Sequence, residues 1–395
     1  MLLFVLAALL ESLLGLITMP FKYAHPSKQV SMFFQKTALN EGLHNTLKTL
    51  LISYTPSPWA PGPYSQTLFG NVTPKERHTY TRRDFILLND GVFTSIFWKE
   101  PQGGCMTHRH IVLICPGLGG NHQSCSAVAI SDLVADMGMR AIVYNRRGHD
   151  IGCSLVPLPD AHMVLGPPTR HKPYPLHCDT DDMHTVVQYI QKKHPQTPMI
   201  VIGVSAGANL AVKYIAQHLG EHPFVGVVSL ANGSDLVNLT KAFDKRPHAN
   251  TLMVGILKEL FEYRKQELLI ICRHNNKELD TGVIQRSRTV RDFETNLILP
   301  LYRDFYKDID EYYRQHSSHE AYRQVDIPLL SLGSMDDPLI DPSLHDHVVN
   351  ASKTNDNIYA VLTREGGHMG WLTGWHGEQL HLKVIREFIS YIRKS

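Results

Sequence analysis

Chemistry is concentrated first at Ser205, which sits in the run Val201-Ile202-Gly203-Val204-Ser205-Ala206-Gly207. Glycines stand two residues to either side of it. That is the spacing of a nucleophile elbow, a strand that turns abruptly into a helix and needs neighbours without side chains so that adjoining elements can close around the turn. A serine raised on such a turn exposes its Oγ. The helix behind it also aims unpaired N–H groups and a partial positive charge at any oxyanion that forms there.

An activated serine needs a base and an orienting acid, which in this arrangement follow in the chain order serine, acid, histidine. The base is expected at His368, within Glu365-Gly366-Gly367-His368-Met369-Gly370, a glycine-rich loop just beyond a β-branched run at 358–363. The acid is expected in Gly333-Ser334-Met335-Asp336-Asp337-Pro338, after the apolar run 329–332. Asp336 and Asp337 compete. Pro338 holds its predecessor extended, which suits a carboxylate directed at a histidine and favours Asp337. Two backbone donors are needed for the oxyanion: Ala206 N–H, and one from the loop Pro116-Gly117-Leu118-Gly119-Gly120-Asn121-His122, where Leu118 is the expected residue. Neither of the phosphate-loop glycine patterns occurs in that loop.

Elements able to position these groups can be read around them. Strand-like runs at 111–115, 141–144, 198–202, 225–230, 329–332 and 358–363 alternate with helical patterns at 126–137, 181–193, 208–218, 343–351 and 380–392. This alternation predicts an α/β fold with a mostly parallel sheet covered on both faces. Before it, 85–88 and 93–98 flank the turn Asn89-Asp90-Gly91 and predict a hairpin that supplies antiparallel strands at one edge. Residues 233–325 interrupt the alternation and are expected to form a helical cap insertion. Their apolar residues, including Leu252, Ile256, Leu257, Leu260, Phe261, Phe293, Leu297 and Tyr312, suit an acyl pocket and equally suit a helical pair packed on the core.

The 395 residues carry a net charge near +2 with no basic stripe, which gives no case for a nucleic-acid partner. The six cysteines contain no C-x-x-C pair and no zinc spacing, so neither a metal nor another cofactor is expected. Core thiols are the preferred reading, with Cys105, Cys125 and Cys153 placed in loops where pairing is conceivable in an oxidising compartment. His177 and Asp182 form an H-x-x-x-x-D pair that is sometimes read as an acyltransferase signature; the dipole of the helix beginning there accounts for its acids without a function.

Residues 1–19 hold eleven large aliphatic or phenyl side chains and one charge, Glu11. As a helix the run spans roughly 28 Å, and its apolar residues contribute about −3 to −6 kcal/mol to insertion against about +3 for the acid. An uncleaved single-pass anchor is expected, in an endomembrane or the plasma membrane. The rival is a cleavable signal peptide, which would want a basic n-region and a small-residue cleavage site that are not obvious before Pro20, and a surface-lying hairpin or helix is a third option. Lys22 and Lys28 place the body weakly on the cytosolic side, whereas sequons at Asn71, Asn232, Asn238 and Asn350 leave the other side open. The expected division is therefore an anchor at 1–19, an arm at 20–80 that is Pro-rich after a possible helix at 31–51, and the α/β body at 81–395.

Taken in order, Trp59 with Gln66-Thr67, Asn89-Asp90-Gly91, Cys115-Pro116-Gly117, Asn145-Arg146-Arg147-Gly148, Gly203-Val204-Ser205-Ala206-Gly207, Tyr312-Tyr313, Asp336-Asp337-Pro338-Leu339 and Gly366-Gly367-His368-Met369-Gly370 give the chain a family likeness. It resembles the membrane-associated alpha/beta-hydrolase-domain lipases numbered one to three, a group with monoacylglycerol lipase and phospholipase members. The resemblance implies an alpha/beta-hydrolase fold, an N-terminal anchor, a triad of Ser205, Asp337 and His368, no metal, and cleavage of carboxylic esters of acyl lipids. Ala208 departs from the pattern, since many relatives carry glycine after the elbow. The alternatives are an acyltransferase using the same triad and a catalytically silent lipid- or hormone-binding protein on this fold.

Overall fold

Runs rich in valine and isoleucine form the middle of a nine-stranded sheet, and everything else in the molecule is arranged on its faces and edges. A computed structural model describes residues 2–22, 30–72, 80–103, 110–158 and 171–394. The strands are β1 (Val30–Phe34), β2 (Arg82–Leu87), β3 (Phe93–Lys99), β4 (Ile111–Cys115), β5 (Arg140–Asn145), β6 (Met199–Val204), β7 (Phe224–Leu230), β8 (Leu329–Ser334) and β9 (Ile358–Thr363), in the order β1-β9-β8-β7-β6-β4-β5-β3-β2. The strands from β4 to β9 run parallel, and β3 joins β5 antiparallel. The expected hairpin is there, with Leu87 opposite Phe93 and Gly91 at φ 84° in its turn.

Both faces of the parallel strands are apolar because both are covered. Among the described residues the helices are α1 (Leu2–Lys22), α2 (Ala38–Ile52), α3 (Pro63–Gly70), α4 (Cys125–Asp136), α5 (Thr180–Lys193), α6 (Ala206–Gln217), α7 (Leu236–Asp244), α8 (Pro247–His274), α9 (Thr281–Arg286), α10 (Val290–Leu301), α11 (Ile309–His316), α12 (Asp346–Ala351) and α13 (Leu380–Ile392). Val112, Ile114, Ile200, Ile202 and Val361 point toward α2, α4 and α13, whereas Ile111, Leu113, Val201 and Ala360 point toward α5, α6 and α12. Alternate residues of each strand thus feed two separate cores.

Helices α7 to α11 lie between β7 and β8, where the βα alternation breaks. They build a third apolar cluster of their own, with Phe261, Phe293, Leu297, Tyr312 and Tyr313 at its centre, and it reaches Leu339 and Ile340 in the loop after β8.

The arm differs from its expected form. Residues 31–51 do not begin as helix: Val30–Phe34 pairs antiparallel with β9, from Val30 opposite Thr363 to Phe34 opposite Tyr359, and α2 starts only at Ala38. The sheet's own edge outweighs local helix propensity here. β9 offers an open ladder, and Phe34 stacks on Tyr359 with ring centroids 4.7 Å apart. Thr37 then caps α2 by accepting the Asn40 N–H at 3.2 Å. The Pro-rich stretch is not wholly irregular, because α3 begins with Pro63 in the first turn, where a missing N–H costs nothing.

α1 also departs from the expected anchor. Among the described residues no helix is long and apolar enough to cross a membrane. The described side chains of α1, residues 4–17, cover about 20 Å, and one face of them is occupied by the protein. Glu11 accepts the Ser65 N–H at 2.8 Å in the first turn of α3, and Phe4 meets Tyr64 edge-on. The acid that was costed against insertion therefore caps a helix.

Cys115, Cys153, Cys178 and Cys272 are free and buried, and burial pushes the thiols of Cys115 and Cys178 up to about 12 and that of Cys153 up to about 11, which makes them inert core thiols. Cys125 is half-exposed at the start of α4 and donates to the Asn71 carbonyl. Cys105 and Lys28 lie outside the described residues. Of the sequon asparagines, Asn232 is buried and donates to the Tyr322 hydroxyl at 2.8 Å, whereas Asn238 and Asn350 are exposed.

Candidate active site

Ser205 stands between β6 and α6 at φ 53° and ψ −118°, a conformation that a non-glycine residue occupies only when its surroundings impose it. The two flanking glycines show how. A Cβ on Gly203 would lie 2.3 Å from the Ala208 Cα, and one on Gly207 would lie 1.9 Å from the Cys115 carbonyl oxygen. Any side chain at either position would push the helix off the sheet and unbend the turn. The Ser205 N–H is tied to the Leu230 carbonyl at 2.8 Å, which fixes the elbow to β7.

His368 and Asp337 reach the serine from the loops after β9 and β8. His368 Nε2 lies 3.1 Å from Ser205 Oγ, and Nδ1 lies 2.8 Å from Asp337 Oδ2. Asp337 Oδ1 accepts the N–H groups of Leu339 at 2.7 Å and Ile340 at 3.0 Å, and its side chain is fully buried. A carboxylate so placed accepts the hydrogen bond of Nδ1–H, keeps the proton on that nitrogen, and leaves a lone pair on Nε2 facing the serine hydroxyl. Of the two competing aspartates, Asp337 meets the imidazole. Asp336 instead accepts the Gly367 N–H at 2.9 Å and the Ser334 hydroxyl, and so shapes the loop that carries His368.

The arm holds that loop from outside. The His368 N–H donates to Thr67 Oγ1 at 2.8 Å, and the His368 carbonyl accepts from Asn71 Nδ2 at 3.1 Å, both from α3 or its C-terminal cap. Gln66 adds a third grip, its Oε1 accepting the Leu372 N–H at 2.7 Å. These residues escaped the reading of the sequence because they act over some three hundred residues of chain. Gln66-Thr67 did recur as a mark of family likeness, but without a mechanism attached.

Ala206, the first residue of α6, and Leu118, two residues beyond Pro116, present backbone N–H groups that have no acceptor among the described residues. The loop bearing Leu118 lies against Ser205, for a Cβ on Gly117 would stand 3.3 Å from Ser205 Cβ. Beyond Leu118 a small cavity of about 20 Å³ faces the inserted helices, lined by Leu257 and Leu260 of α8 and Phe293, Leu297 and Ile298 of α10 on one side and by Arg146, His149, His177 and Glu294 on the other. Packing and lining are thus not exclusive: Leu257, Phe293, Leu297 and Ile298 do both, while Phe261 and Tyr313 serve the cluster alone.

His177 and Asp182 are not brought together. His177 Nε2 pairs with Glu294 Oε1 at 2.6 Å, whereas Asp182 receives Arg147 through two hydrogen bonds of 2.8 Å. Arg147 also donates to both oxygens of Asp90 in the hairpin turn, at 2.7 and 3.0 Å. The Asn145-Arg146-Arg147-Gly148 run, read as shaping a loop at the sheet edge, therefore includes a buried clamp between two distant elements.

A family model for the alpha/beta hydrolase fold matches residues 110–374. Phospholipase ABHD3 of Homo sapiens is 25% identical over 350 residues, covering 85% of this chain and 78% of that protein. Monoacylglycerol lipase ABHD2 of Mus musculus is 24% identical over 361 residues, covering 88% and 81%. An esterase of Pyrococcus furiosus superposes with a TM-score of 0.49 at 12% identity, over 82% of this chain and 95% of its own. The likeness carried by the ordered motifs thus extends to most of the chain, and the match over 110–374 shows that the protein belongs to the alpha/beta hydrolase family.

Proposed function

We propose that the protein is a serine hydrolase that cleaves carboxylic ester bonds of acyl lipids. The observation that carries this reading is the continuous relay from Asp337 through His368 to Ser205 Oγ, next to two unengaged N–H groups. Ser205 Oγ attacks the ester carbonyl while His368 Nε2 takes its proton. Asp337 stabilises the resulting imidazolium, and the N–H groups of Ala206 and Leu118 hold the oxyanion. His368 returns the proton to the departing alcohol, leaving an acyl-enzyme. Water, deprotonated by the same imidazole, then releases the fatty acid and restores Ser205.

The names of the relatives, a phospholipase and a monoacylglycerol lipase, support an acyl-lipid substrate. Contact with a lipid surface is supported by α1, which exposes Leu6, Leu9, Leu10, Leu13, Leu16 and Ile17. The separate engagement of His177 and Asp182 weighs against a second acyl-transfer centre. Fatty-acid release by the purified full chain from monoacylglycerol dispersions and phosphatidylcholine vesicles, with Ser205→Ala as control, tests the reading. Release by the wild type alone supports it; equal release by both proteins, or by neither, rejects it.

A further inference from the structure

Arg146 is a buried guanidinium, 5% exposed, with no carboxylate at ion-pair distance among the described residues. Its neighbour Arg147 meets two. Burial disfavours the charge of Arg146, and its Nε has no hydrogen-bond partner among the described residues. What it does have is carbonyls: Nη2 donates to the Gly117 oxygen at 2.9 Å and Nη1 to the His177 oxygen at 3.2 Å, with His149 Nε2 at 3.4 Å from Nη2. A cation placed in the interior at such cost, and spent on backbone oxygens, points to the peptide it touches.

That peptide joins Gly117 to Leu118. In a planar trans peptide the C=O and the N–H point in opposite directions, so pinning the oxygen of Gly117 pins the N–H of Leu118 the other way. The Gly120 N–H also donates to the Gly117 oxygen, at 3.1 Å. At the loop's far end Asn145 Oδ1 accepts the His122 N–H at 2.8 Å. The last residue of β5 and the residue after it thus hold both ends of the loop that follows the neighbouring strand β4. The loop needs holding, because Gly117 and Gly119, the latter at φ 69°, flank Leu118 and leave its peptide little steric resistance to rotation.

We propose that Arg146 is a positioning residue for the oxyanion hole: it locks the Gly117–Leu118 peptide with the Leu118 N–H toward Ser205 and, as a cation bonded to the same peptide's oxygen, strengthens that N–H as a donor. The second effect follows from polarisation along a hydrogen-bonded amide in a site of low dielectric. The inference rests on the hydrolase reading above, with Leu118 as oxyanion donor. It adds that the two consecutive arginines have different tasks, Arg147 in the scaffold and Arg146 behind the transition state.

The test uses full-length Arg146→Met, Arg146→Lys and Arg146→Ala, with unfolding temperature measured beside kcat and KM on a soluble acyl ester. Arg146→Met is expected to lower kcat by about 10²–10³-fold, as removal of an oxyanion donor does, while KM changes less than about threefold. Arg146→Lys, which keeps a cation but not the fork, should lie between Met and wild type. Millimolar guanidinium chloride should restore part of the activity of Arg146→Ala and none of that of Ser205→Ala. A folded Arg146→Met with kcat within twofold of wild type overturns the proposal. So does loss of folding in both Met and Lys variants, which would assign Arg146 to stability. An inactive wild type would instead reject the hydrolase reading itself.

Discussion

Two pairs of like residues, Asp336-Asp337 after β8 and Arg146-Arg147 after β5, divide their work in the same way. In each pair one side chain turns to the site and the other to the scaffold. Asp337 receives two backbone N–H groups and the imidazole. Asp336, one residue earlier, keeps a buried Oδ2 without a partner among the described residues, and burial with the nearby charge of Asp337 pushes its pKa up to about 6. Arg147 lies between two carboxylates and Arg146 among carbonyls. Successive residues of a loop face opposite ways, so residue type alone does not tell which member of such a pair does chemistry. The surroundings do.

The widest contrast is expected between the aspartates. Asp337→Asn should leave the fold intact and lower kcat by about 10³–10⁴-fold, through loss of the tautomer and of imidazolium stabilisation. Asp336→Asn should leave kcat within about threefold. Steady-state kinetics on the two variants, side by side, checks both, and equal losses would erase the distinction.

The arginines should differ in stability. Arg147→Met strands Asp90 and Asp182 in the interior and is expected to cost about 3–5 kcal/mol, read as a fall in the urea midpoint. A loss below about 1 kcal/mol would mean that the clamp is redundant.

How much of this was legible follows from the range of the interactions. The elbow could be read because its requirements are local: two glycines, a strand before and a helix after. Asp337 could be chosen because Pro338 acts on the residue directly before it. The helix at 380–392 and the strand at 358–363 were readable from periodicity alone, and the structure places them at those bounds. What could not be read depends on partners far along the chain. Val30–Phe34 becomes a strand only because the edge of β9 is free, and Thr67 matters only because the His368 N–H arrives beside it. Glu11 looked like a fault in an anchor until α3 brought its Ser65 N–H to it. In the same way, Arg146 could be recognised as part of a motif, but not as lying behind Leu118.

Smaller effects sharpen the comparison through pH. Because the folded pKa of Asp336 is raised from 3.8 to about 6, its contribution is fully present below about pH 4 and is lost as pH rises through 6. The loss is on the order of 2 kcal/mol after allowance for partial exposure. Urea unfolding from pH 4 to 8 should show this slope in the wild type, and it should be shallower in Asp336→Asn, where the buried Asp182 carboxyl, also pushed up to about 6, still contributes. Buried histidines act in the opposite sense. Burial pushes His149 and His381 down to about 3, so their contributions are present above pH 6.5 and are lost as pH falls toward 3.

The smallest predicted effect is at His381 in α13, whose two ring nitrogens are buried and have no partner among the described residues. His381→Leu should stabilise the protein at neutral pH by about 1 kcal/mol, by removing an unsatisfied polar group, and should flatten part of the acid limb. An increase in unfolding temperature checks it; a decrease would show that the ring is held by its packing against Trp371.

The central claim is that Ser205 is the activated nucleophile, and covalent labelling tests it most directly. The purified full chain would be treated with a fluorophosphonate ester, digested, and the adduct located by mass spectrometry. The account predicts a single adduct on Ser205, absent from Ser205→Ala and from His368→Ala. A folded wild type that does not react, or an adduct on another residue, would contradict it.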